Sequence, residues 1–199
     1  MDDSMKQFVR ISVNRMMEHY APKLIQSLEP LKLEELWLHE YVHMNAIGGI
    51  VLHICEHVNR HTVRYARSGE NGTGDQFQAE NGSNAGLAET QAMYFELKLA
   101  TAGGGIENYF PDKMLSGVEL IEQVTKSFRM WQDVTMTYVK KDLPNHTLNM
   151  NDIYHLVEHT GYHLGQIVDR SQRISQRSFQ FMQNGISEQA LKEILDKSG

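Results

Sequence analysis

The chain has 199 residues, 41% of them hydrophobic, which is enough for one buried core near the upper end of single-domain size, so one domain over 1–199 is expected. Its formal charge of −6, from 19 Lys and Arg against 25 Asp and Glu, provides no basic face for phosphates and excludes nucleic acid as an expected partner. Cys55 is the only cysteine, no apolar run approaches the roughly 20 residues that span a bilayer, and the start, MDDSMKQFVR, lacks the apolar core of a signal peptide; a cytoplasmic protein without a membrane segment is expected.

In chain order, residues 5–28 carry Phe8, Val9, Ile11, Val13, Met16, Met17, Leu24, Ile25 and Leu28, close to the stripe of an amphipathic helix. Pro22 predicts a kink or a break in it, and Glu29-Pro30 closes it. Residues 33–43, LEELWLHEYVH, extend toward a second helix, and Asn45 opens the long apolar-patterned run NAIGGIVLHICEHVNRHTVRYAR. Gly48 and Gly49 each lower helix propensity by about 1 kcal/mol, so their expected use is close backbone packing. Residues 68–86, rich in Gly, Asn and Ser, read as a long loop. Helical spacing returns over 87–101 and stops at Gly103-Gly104-Gly105. A long amphipathic helix is predicted over 116–141, capped by Ser116 or Asp112, then a histidine-bearing helix capped by Asn151 or Asp152, and a short terminal helix over 187–197. The fold class is all-α: four main helices in a helix bundle, with additional short helices and the Gly/Asn-rich loop. The Gly-rich stretches lack the preceding strand and phosphate-binding Lys of a nucleotide loop.

Ten histidines fall on this scaffold. His155, His159 and His163 lie at i, i+4 and i+8. Four residues overshoot one turn by about 40°, so neighbours share a face while the outer two diverge by about 80°. Two adjacent members can meet at one metal; three cannot easily. His53, His57 and His61 repeat the pattern on the second long helix. A pair from one helix and a single ring from the other would give a three-imidazole site with open coordination positions. Spacing leaves the choice among His53, His57 and His61 open. The competing reading is that such pairs are solvated or hydrogen-bonded within the core, as His39 with His43 exemplifies.

The segment HTGYHLGQIV resembles the last-helix signature of the DinB-like superfamily, which includes the YfiT-like metal-dependent hydrolases. In that signature a histidine pair at i, i+4, here His159 and His163, is followed by a small residue and Gly-Gln-Ile or a close variant. NAIGGIVLHICEHV resembles the family's second helix, with His53 at the place of the third ligand and His57 one turn away. The resemblance covers these two helices well and the first and third by pattern only. The segment 68–86 and the helix after it depart from typical members. The resemblance implies a four-helix bundle, often a homodimer, holding nickel or zinc through His53, His159 and His163. It also implies chemistry on a low-molecular-weight thiol and a small electrophilic substrate. Whether His57 replaces or joins His53 stays open.

Neutral imidazole suits such ions, and a bound metal generates a nucleophile by lowering the pKa of water or thiol. Cys55 projects about 200° around the helix from His53 and reads as a core residue. Glu56, Gln166 and Asp152 are within reach as partners for the second ring nitrogens of the ligands. Trp37 and Trp131 read as packing anchors. Two function classes follow. One is a metal-dependent transferase or hydrolase with an open metal position; the other is a non-catalytic metal-binding or interaction protein in which the ion ties two helices together.

Overall fold

The computed structural model describes residues 1–72, 112–142 and 148–181, with side chains for all of these except 67–72. Regular structure among them is helical throughout, with no strand.

The first rod is continuous. Helix α1 (Asp3–Asn14) leads into a π-helical turn (Arg15–Tyr20) and then α2 (Ala21–Leu28). Asp2 caps its start by accepting the Met5 N–H at 2.8 Å. The chain does not break at Pro22; it widens just before it. A proline has no N–H and its ring collides with the carbonyl four residues back in α geometry. Within the π turn the Ala21 N–H reaches the Met16 carbonyl, five residues back, which re-spaces the carbonyls ahead of the ring.

Residues 33–43 form only one helical turn, α3 (Leu33–Leu36). Trp37 then leaves helical geometry at φ −108°, ψ 15°, and its indole N–H donates to the Leu115 carbonyl at 2.9 Å. Its ring fills the space above Gly48, where an added Cβ would come within 2.7 Å of it, so this glycine does permit a close approach. Helix α4 (Ile47–Gly72) runs past Ser68, so the first five residues of the expected loop 68–86 are helical. The remainder of that loop, the expected helix 87–101 and the expected helix 187–197 lie outside the described residues.

Helix α5 (Gly117–Lys140) starts on a capping box: Ser116 Oγ accepts the Glu119 N–H, and Glu119 accepts the Ser116 N–H at 2.7 Å. Ser116, not Asp112, is therefore the cap. Helix α6 (Met150–Ser175) is capped by Asn149, whose side chain accepts the Asn151 N–H at 2.9 Å. This corrects the expected Asn151 or Asp152; the Asp152 carboxylate lies 2.9 Å from Arg64 on α4 instead.

The rods pack mainly in a ring. The first rod contacts α5 and α6, and α4 contacts the same two, so α4 and the first rod lie on one diagonal. Leu24, Leu28, Ile54, Val58, Leu120, Phe128, Trp131, Ile153 and Ile167 are buried at the centre. The Ser171 hydroxyl donates to the Ser27 carbonyl at 2.6 Å, pinning α6 to the first rod. None of the described helices is long and apolar enough to cross a membrane.

Candidate metal centre

The α4–α6 seam is lined by imidazoles. His53 lies 5.0 Å, ring centroid to centroid, from both His159 and His163, while His57 lies 4.2 Å from His159 and 5.3 Å from His155. Ascending α4 therefore descends α6, and the two helices run antiparallel with their histidine faces opposed. On each helix the i, i+4, i+8 spacing keeps three rings near the seam. Their divergence of about 40° per step decides which of them converge.

His53, His159 and His163 converge. Each offers one ring nitrogen, and the three nitrogens lie within 4.8 Å of one another. His53 Nε2 and His159 Nε2 are 3.2 Å apart. Two nitrogens at 2.0–2.1 Å from a tetrahedral zinc would be separated by about 3.3 Å, so this pair already has the spacing of two ligands on one ion. The His163 Nδ1–H donates to Gln166 Oε1 at 2.8 Å. An amide oxygen only accepts, which puts the proton of His163 on Nδ1 and leaves Nε2 with its lone pair. Of the partners expected for the ligand rings, Gln166 is in place; Glu56 lies 3.8 Å from Arg60, and Asp152 pairs with Arg64.

Electrostatics favour uncharged rings. Burial is the leading cause that pushes His159 down to about 4, with the His163 charge the next cause in the same direction. Burial also lowers His163, against the raising effect of its Gln166 bond. Three buried nitrogens on this seam, His57 Nε2, His61 Nδ1 and His159 Nδ1, have no hydrogen-bond partner among the described residues. Lowering His159 and His163 in this way favours the neutral imidazole, the form a borderline cation takes up without first displacing protons.

The other candidates are not brought into this set. His57 and His61 are buried one and two turns along α4. His155 is 57% exposed at its side chain, 3.8 Å from Glu158. Cys55 is fully buried in the core, and burial pushes its thiol up to about 12. His39 lies at the surface between the Met44 carbonyl and Asp112, the structural reading given to it above. One participant was not singled out from the sequence: Arg60 donates to His57 Nδ1. Its position three residues after His57 is the only signal, and an arginine on a helix face is ordinarily solvated.

A cavity of about 710 Å³ is lined among others by Asn45, Ile50, Gln166, Asp169 and Arg170. Gln166 therefore both holds His163 and borders open space. No family model, curated protein or solved structure matches the chain.

Proposed function

We propose that the chain is a divalent-metal-binding four-helix bundle of the DinB-like superfamily, and that it works as a metal-dependent small-molecule thiol transferase or hydrolase. His53, His159 and His163 hold the ion. The observation that carries this reading is the convergence of three ring nitrogens from two helices within 4.8 Å of one another. The donor set favours zinc or nickel, as imidazole sites do. When bound, such an ion supplies Lewis acidity that brings a coordinated water or thiol into its nucleophilic form near neutral pH.

The chain's own residues provide the frame. α4 contributes one ring and α6 two, so the ion would join helices distant in sequence. Gln166 fixes the tautomer of His163. Arg60 occupies His57 Nδ1 and His57 stands outside the convergent set, so no fourth imidazole joins the centre among the described residues. That favours an open position for a reacting group over the alternative, in which a closed sphere merely ties helices together. The single, buried cysteine supports a thiol supplied from solution, as a low-molecular-weight cosubstrate for a small electrophile. The same family reading carries a homodimer with it, and the single cysteine suits a reducing, cytoplasmic compartment.

Metal analysis of the full chain and of His163→Ala, with circular dichroism to confirm retained helix, tests the proposal. About one ion per chain is expected in the parent and a large loss in the variant. Equal metal content in a folded His163→Ala protein rules the site out. Turnover of a small thiol with an electrophilic acceptor, above that of the chelated protein, separates the enzyme from the non-catalytic reading.

A further inference from the structure

One ring on the seam holds a hydrogen-bond donor that meets no acceptor. His57 is 6% exposed, and Arg60 donates to its Nδ1. A guanidinium has donors only, so Nδ1 supplies the lone pair and the ring's proton sits on Nε2. That Nε2–H is buried and has no partner among the described residues. His61 and His159 also carry buried unpaired nitrogens, but only in His57 does the other nitrogen's partner fix the unpaired one as a donor.

Its location gives it a use. The ring centroid is 4.2 Å from that of His159 and 6.4 Å from that of His53, so His57 borders the candidate centre without belonging to the convergent set. Nδ1 and Nε2 leave an imidazole on divergent bearings. With Nδ1 turned to Arg60, whose side chain is 40% exposed, Nε2 projects away from that partly solvated guanidinium. A buried donor left unpaired in the free protein is explained when an incoming ligand brings the acceptor. The guanidinium behind the ring polarises the N–H and favours an acceptor that carries negative charge.

We propose that His57 is a positioning donor for a small anion, a thiolate or a comparable anionic group, bound beside the His53–His159–His163 centre, with Arg60 setting the tautomer. This rests on the metal reading above and adds a ligand class to it. No bond is made or broken in the step; the Nε2–H donates, and the anion accepts.

The test uses the full chain loaded with Co²⁺, whose visible absorption reports its coordination, titrated with azide and separately with 2-mercaptoethanol. Parent, His57→Phe, His57→Gln and Arg60→Met proteins are compared. Cobalt affinity is expected to be unchanged in all four. The Kd for azide should rise about tenfold or more in His57→Phe, since a charge-assisted hydrogen bond is lost. It should rise less in His57→Gln, which keeps an N–H donor, and less in Arg60→Met, which frees the tautomer. Should His57→Phe fail to fold, the latter two variants carry the comparison. Parent-like azide and thiol affinity in the variants overturns the proposal, and so does loss of cobalt from a folded His57 variant, because His57 would then be a ligand. A parent that takes up no cobalt fails at the earlier step and removes the metal reading itself.

Discussion

At the scale of single residues, Gln166 determines which nitrogen of His163 faces the seam, because its amide oxygen can only accept the Nδ1–H. Replacing it with Ala frees the ring to change tautomer and to turn. The affinity of the chain for zinc should fall about 10–100-fold, measured by competition with a chromophoric chelator, and Gln166→Glu, which still accepts, should recover most of it. Unchanged affinity in Gln166→Ala would detach this residue from the centre. Much of the site was legible at this scale. The i, i+4 spacing placed His159 and His163 on one face, and Gln166 fell three residues beyond the second. The choice of ring on α4 was not legible from spacing, because it depends on the rotation of α4 against α6, which no local pattern encodes; the family resemblance picked out His53. Arg60 escaped because its role is an attachment to a histidine that sequence could not yet place.

Elements were read best where one local rule acts alone. The apolar stripe and Ser116 located α5, while the start of α6 moved from the expected Asn151 or Asp152 to Asn149, a third residue of capping type within four positions, and Asp152 pairs with Arg64 instead. Pro22 shows a local rule overridden: a π turn offered a route past the missing N–H, at a place where the first rod gains packing against α5 and α6. The segment between α3 and α4 depends on a residue far along the chain. Arg170 of α6 is 4% exposed and donates to Glu40 at 3.2 Å, to the Leu38 carbonyl at 3.2 Å and to the Asn45 carbonyl. No rule confined to residues 37–46 could foresee that clamp. Arg170→Met keeps the bulk of the side chain yet strands two carbonyls and leaves Glu40 with Arg173 alone, at 3.4 Å. It should cost about 1–3 kcal/mol, the range for leaving hydrogen-bonding groups without their partner, read as a shift in the urea midpoint at unchanged m-value. A change within ±0.5 kcal/mol would mean the segment is held by other contacts.

Across the whole molecule, burying so many imidazoles couples folding to pH. Burial pushes His61 down to about 4, an effect that the nearby Asp152 charge opposes and the Arg60 charge reinforces. Burial and the Arg15 and Lys23 charges lower His19 on the first rod. In the unfolded chain both rings return to an ordinary value near 6.5. Between that value and the depressed one the unfolded state binds more protons, so stability is fully present above about pH 6.5 and is lost as pH falls toward about 4. The metal-free protein should therefore lose stability on acidification from pH 7.5 to 5, before most carboxylates titrate. A ring that stays neutral when folded and is charged when unfolded contributes a slope of about 1.4 kcal/mol per pH unit. Urea midpoints of chelator-treated protein measured at half-unit steps across this window give the slope. His61→Gln should flatten it, because the glutamine does not titrate in either state. A midpoint that stays level from pH 7.5 to 5 would mean that the folded protein takes up these protons as readily as the unfolded one, and that the rings of the seam reach water more freely than their packing allows.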